Sequence, residues 1–120
     1  MAIPSSTPPL AEIFPELIEV AMGRRPADLM IRGATLVNVN TRELQPRTDV
    51  AVYRGRIALV GRADHCRGPA TTVVEAEGRF LTPGFIDGHV HVESSMVTLT
   101  QYAAAVLTPG HTPLFTDPHE

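Results

Sequence analysis

The chain has no tryptophan, a single cysteine and only 5% aromatic residues. One cysteine, Cys66, excludes an internal disulfide and any thiolate metal cluster built from this chain alone. Its expected role is that of a small buried or half-buried side chain. Basic residues are outnumbered: 10 Lys and Arg stand against 13 Asp and Glu, a formal charge of -3 with the two signs interspersed. No basic stripe is available to neutralise a run of phosphates, so nucleic acid is not an expected partner. Long apolar runs are missing too. None approaches the roughly 18 residues of a membrane span, and the start, MAIPSSTPPL, has neither the basic beginning nor the long apolar stretch of a secretion signal. No membrane partner follows, and a soluble cytoplasmic protein is the expectation.

What is present is a 43% hydrophobic content, enough for a core, together with 11 prolines and nine glycines, which favour many short elements over a few long helices. Residues 1–9 are polar and proline-rich and read as a mobile leader. From Leu10 the apolar residues Leu10, Ile13, Phe14, Leu17, Ile18 and Ala21 keep helical spacing, with Glu12, Glu16 and Glu19 mostly between them. This predicts an amphipathic helix whose stripe packs on the rest of the protein or on a second subunit. Pro15 is expected at its first helical position, because an interior proline loses a hydrogen bond, and Gly23 suits the exit.

Between Asp28 and Leu81 the pattern shifts to short β-type runs: DLMIR, TLVNVN, DVAVYR, RIALVG and TTVVEAEG. Their separators are Gly33, TRELQPR, Gly55 and GRADHCRGPA, and Arg54-Gly55 has the form of a tight hairpin turn. His65, beside Cys66, reads as a surface residue of the last loop. The predicted organisation is a leader and helix over 1–27, a small β-sandwich portion over 28–82, and a different kind of unit over 83–120.

That last unit reads strand, helix, strand. FIDGHVHV is predicted as a strand, and TLTQYAAAVLTPG as a helix with Thr98 at the N-cap and Gln101 closing a capping box. TPLFT follows as a second strand. Such a βαβ unit belongs to a parallel sheet. Alternation along the first strand puts His89 and His91 on one face with Asp87 and, one step on, Glu93, while Ile86, Val90 and Val92 face the other way. Two imidazoles at that spacing can converge on one ion near the strand end. With five histidines in the chain, chance supplies roughly 0.2 such pairs, so the spacing alone leaves open a pair of packed or surface histidines. Position adds weight, because the C-terminal ends of parallel strands are where βα units build active sites. The second strand ends similarly, in Asp117, His119 and Glu120, for which a solvated Asp-Pro turn is the plain alternative. His111, before the second strand, reads as structural.

PGFIDGHVH resembles the first barrel strand of the amidohydrolase superfamily, metal-dependent hydrolases on a (β/α)8 barrel preceded by a small β-sandwich. More narrowly, HVHVESSM, YAAAVLTPG and TDPHE, with LIEVAMGRRPADLMIRGATLVNVNTREL upstream, are similar to the adenine deaminases, from about Leu17 to Glu120. The resemblance implies an α/β fold, a homo-oligomer, and a divalent metal centre, usually binuclear, of manganese, iron or zinc, with His89 and His91 as ligands. It implies hydrolytic deamination of adenine to hypoxanthine and ammonia by a metal-activated hydroxide, a carboxylate moving protons to the departing amine. Glu93, Asp117, His119 and Glu120 match motif positions and are candidate catalytic residues, and Ser94 a candidate substrate contact. Other cyclic amidohydrolases, dihydroorotase-like or deacetylase-like, would share PGFIDGHVH but not ESSM or TDPHE. A non-catalytic binding or assembly module is the reading from a different class.

One departure is local: Gly110-His111-Thr112-Pro113 stands where adenine deaminases usually run Gly-Thr-Thr-Thr, and a proline there is expected only at the first residue of a strand. The other is one of size. A (β/α)8 barrel needs on the order of 200 residues, and only about 38 follow Thr82. The expectation is an N-terminal piece that carries the first βαβ of an incomplete barrel and does not deaminate adenine alone.

Overall fold

In the computed structural model, which describes residues 7–116, the chain divides between Thr82 and Pro83 into two units. The leader expected over 1–9 falls mostly outside the described residues.

The first unit is organised around β1 (Leu29–Asn38). DLMIR and TLVNVN join into this one strand because Gly33, at φ +69°, makes a bulge rather than a break, with register shifts on either side of Ala34. The bulge is anchored by Asp49, whose carboxylate accepts the Gly33 N–H at 2.9 Å and the Ala63 N–H at 3.1 Å. Next, β2 (Glu43–Tyr53) pairs antiparallel with β1, starting earlier than the sequence suggests. TRELQPR is a separator only up to Arg42. Glu43, Leu44 and Gln45 pair with Asn38, Val37 and Leu36, so the turn is short and the pairing with β1 supplies their backbone partners. Arg54 and Gly55, at φ 47° and 76°, form the predicted hairpin into β3 (Arg56–Gly61). Then β4 (Thr72–Glu75) and β5 (Phe80–Leu81) each pair parallel with β1. The result is one five-stranded sheet.

Helix α1 (Leu10–Ala21) packs on β3 and β2. Pro15 lies inside it, not at its start, because Ile13, fully buried, holds the first turn in place. Pro15 and Ala11 are both exposed, so water can serve the Ala11 carbonyl that the missing N–H would have reached. The stripe is also narrower than its spacing suggests: Ile13, Leu17 and Val20 are buried, whereas Leu10, Phe14 and Ile18 stay exposed. Gly23 ends the helix at φ +71°, close against His65, whose Nε2 lies 2.9 Å from the Ala21 carbonyl. The core joins Val20, Ala27, Met30, Ala51, Ala63 and Cys66, and the Cys66 thiol donates to the Val20 carbonyl at 3.2 Å.

The second unit contains β6 (Phe85–Val90), a 3-10 turn at Glu93–Ser95, α2 (Leu99–Leu107) and β7 (His111–Thr116), with β6 and β7 parallel. Both halves of the predicted capping box are formed: the Thr98 hydroxyl accepts from the Gln101 N–H, and the Gln101 side chain accepts from the Thr98 N–H at 3.1 Å. Pro113 is third in β7, not first. It falls where the register with β6 shifts, between His111 and Leu114, and a strand irregularity tolerates a residue without a donor. Among the described residues of this unit only Val92 is buried, and Ile86 is exposed although the alternation assigned it to a covered face. Among the described residues no helix is long and apolar enough to cross a membrane.

Candidate functional site

The pleat of β6 ends at Val90, one residue short of His91. The two histidines are therefore not spaced as strand neighbours, about 7 Å apart. The chain leaves the strand at His91, and Val92 already has helical backbone angles. The imidazoles swing together, their ring centres 4.6 Å apart and their planes at 83°. Nε2 of His89 lies 2.9 Å from Nε2 of His91. The backbone at His89 is held by Asp87, whose carboxylate accepts its N–H at 3.2 Å.

Glu93 does not extend the strand face either. It opens the 3-10 turn, and from there its carboxylate reaches back to His91, Oε1 lying 3.3 Å from Nδ1. Both side chains of that pair are about 30% exposed, so the contact is partly shielded from water and its partners are held on one side of the turn. Ser94, next on the same turn, is exposed. Met96 leaves the turn in the left-handed region, φ 59°, which no local signal in SSMVT announces. Asp117, His119 and Glu120 lie outside the described residues. The structure thus brings together His89, His91 and Glu93, with Ser94 beside them.

Do these residues suit a metal ion? Two nitrogens each about 2.0–2.1 Å from one tetrahedral ion stand roughly 3.3 Å apart, and the two Nε2 atoms are 2.9 Å apart. A carboxylate on the far nitrogen of a ligating histidine is the usual outer support of such a ligand. The pair fits as half of a site. Among the described residues, no group of three or more His, Cys, Asp or Glu side chains converges as a cage.

His111 opens β7: its ring lies 5.7 Å from that of Phe85, at the start of the β6–β7 pair, and its Nδ1 is buried with no hydrogen-bond partner among the described residues. A larger concavity, about 600 Å³, lies on the first unit. Four of its charged residues are committed to the framework: Arg32 pairs with Asp64 and Glu75 at 3.3 and 3.1 Å, and Asp49 holds the β1 bulge. Chemistry-bearing residues gather instead at the end of β6.

Known proteins resemble this chain over nearly its whole length. A protein from Ruegeria pomeroyi is 51% identical over 118 residues, covering 98% of this chain, and one from Moorella thermoacetica is 56% identical over 112 residues, covering 93%. The relatives are adenine deaminases. A third, adenine deaminase 3 of Rhizobium meliloti, is 51% identical over 113 residues. The chain spans about a fifth of the length of these curated adenine deaminases. Among solved structures, molinate hydrolase and phenylurea hydrolase B each share 25% identity at a TM-score of 0.57, covering 76% of this chain and 24% of theirs. A prolidase, 22% identical at a TM-score of 0.56 over 73% of this chain and 25% of its own, shares the fold. No protein-family model matches. The adenine deaminase resemblance of HVHVESSM and YAAAVLTPG therefore extends over nearly the whole chain, and the solved hydrolases share its mixed α/β fold.

Proposed function

We propose that this chain is the part of an adenine deaminase that supplies the first two ligands of its metal centre. In this reading residues 83–120 are the first βαβ of a (β/α)8 barrel, and residues 28–82, after the leader and helix of 1–27, belong to the small β domain that precedes it in the chain. His89 and His91 hold a divalent ion, one of a pair, of manganese, iron or zinc. The ion supplies Lewis acidity, which brings water to a nucleophile near neutral pH. The chain's own residues do the rest locally: Asp87 fixes the backbone at His89, and the 3-10 turn presents Glu93 and Ser94 beside the imidazoles. Ser94 is assigned to adenine contact, and Asp117, His119 and Glu120 to the catalytic rim on which protons pass to the leaving ammonia. The protein acts in the cytoplasm as a homo-oligomer.

The observation that carries this reading is the convergence of the two Nε2 atoms within a stretch 51–56% identical to adenine deaminases. That identity is about twice the 25% shared with the molinate and phenylurea hydrolases, which supports adenine over other cyclic amides and amines. Two imidazoles leave an ion mostly to water and hold it weakly, so the 120-residue chain is expected to release no ammonia from adenine in the presence of manganese or iron. A protein of the relatives' length carrying this sequence is expected to convert adenine to hypoxanthine and to lose that activity in His89→Ala and His91→Ala. Turnover by the short chain, or a full-length protein that hydrolyses other cyclic amides and leaves adenine alone, would overturn the proposal.

A further inference from the structure

We infer that Glu93 is a positioning residue that makes the two histidines unequal: it presets His91 as a ready ligand and leaves His89 as the one that must change tautomer. The inference rests on the metal-centre reading above and refines it.

The argument needs only proton bookkeeping. A neutral imidazole carries one N–H, on Nδ1 or on Nε2, and the hydrogen bond made by one nitrogen decides the role of the other. At His91 the Nδ1 faces the Glu93 carboxylate at 3.3 Å, and an ionised carboxylate only accepts. The His91 proton therefore sits on Nδ1, which leaves Nε2 with a lone pair. That lone pair lies 2.9 Å from Nε2 of His89. Two lone pairs at this distance would repel, so His89 carries its proton on Nε2 and donates it to His91. His89 is exposed, which lets this proton exchange with water.

Binding an ion between the two Nε2 atoms requires a lone pair on both. His91 already offers one. His89 has to break its hydrogen bond and move one proton from Nε2 to Nδ1 through solvent, with no net change in charge. Glu93 thus acts through His91 without touching substrate. Its removal takes away the acceptor that holds the His91 proton on Nδ1, so His91 shifts toward the Nε2–H form and donates to His89 instead, and neither ring is preset as the ready ligand.

The test uses the 120-residue chain with 15N-labelled histidine at about pH 8, above the ordinary histidine pKa of about 6.5, and zinc chloride as the probe. In the metal-free chain, long-range proton–nitrogen spectra are expected to show His91 as the Nδ1–H tautomer and His89 as Nε2–H. Zinc should convert His89 alone. In Glu93→Ala, His91 is expected to shift toward Nε2–H and zinc affinity to fall about 10- to 100-fold. Glu93→Gln, whose amide oxygen can still accept from Nδ1–H, should keep the His91 tautomer and recover part of the affinity. Unchanged His91 nitrogen shifts in Glu93→Ala, or zinc converting both rings in the unsubstituted chain, would overturn the inference. His89→Ala separates the two levels: if zinc affinity survives that substitution, the metal-centre reading itself fails, whatever Glu93 does.

Discussion

The Tyr53 hydroxyl donates to the Glu16 carboxylate at 2.8 Å, fastening α1 to the end of β2. The same oxygen accepts from Arg25 at 2.9 Å, and Arg25 and Arg54 approach Glu16 at 3.4 and 3.3 Å. One carboxylate thus gathers the phenol and two guanidinium groups. Tyr53→Phe keeps the ring and removes that link. It is expected to lower the stability of the first unit by about 1–2 kcal/mol, read as a lower urea midpoint with an unchanged slope.

The two stripes of α1 should respond unequally to the same chemistry. Ile13 is fully buried, while Phe14 beside it is 54% exposed. Ile13→Ala is expected to cost about 2–4 kcal/mol through lost transfer energy and a cavity, and Phe14→Ala less than about 1 kcal/mol. Thermal unfolding of the two variants, side by side, checks which face holds the helix.

Gly84 stands where a side chain has no room. A Cβ there would run into the Thr112 side chain, across the β6–β7 pair. Gly84→Ala is expected to push the strands apart at their start and to weaken the hydrogen bond from the Phe85 N–H to the Gly110 carbonyl, 2.9 Å in the native chain. Loss of hydrogen-exchange protection at Phe85 is the readout. Thr112→Gly in the same background should restore it.

Burial pushes the Cys66 thiol above its ordinary range. A thiol that stays neutral in the folded state while ionising in the unfolded state contributes stability in full below the unfolded value of about 8.5. That contribution is lost as the pH rises through the higher folded value. The native chain is therefore expected to react slowly with a disulfide reagent at neutral pH and at full speed in urea. The Cys66→Ala variant should lose less stability than the parent as the pH climbs past about 8.5.

Much of this was legible in the residues. The capping box at Thr98 and Gln101, the Arg54-Gly55 hairpin and the buried Cys66 all rest on short-range chemistry: a hydroxyl three residues from a donor, a glycine where φ must be positive, an apolar side chain in a core. The merging of two runs through Gly33 was not legible, because a bulge and a break look the same until Asp49, 16 positions on, accepts the Gly33 N–H. Nor was the start of β2 at Glu43. A polar segment pairs when a neighbouring strand satisfies its backbone, whatever its side chains favour. Pro15 shows the same override from the other side, since burial of Ile13 outweighs one missing hydrogen bond on an exposed face.

At the candidate site the division is sharper. By itself the sequence determined that two histidines and a glutamate stand at alternate positions from the end of a strand onward, within a stretch shared with adenine deaminases. The spacing and the side-chain chemistry are properties of the order of residues alone. The tertiary structure decided how those groups meet. Strand pairing with β7 gives out at Val90 and the backbone turns into a 3-10 helix at Glu93. That single change of direction brings the two Nε2 atoms together and sends the Glu93 carboxylate back to the other nitrogen of His91. Alternation along a strand fixes only which way a side chain leaves the backbone, and where pairing ends depends on a partner strand more than 20 residues away.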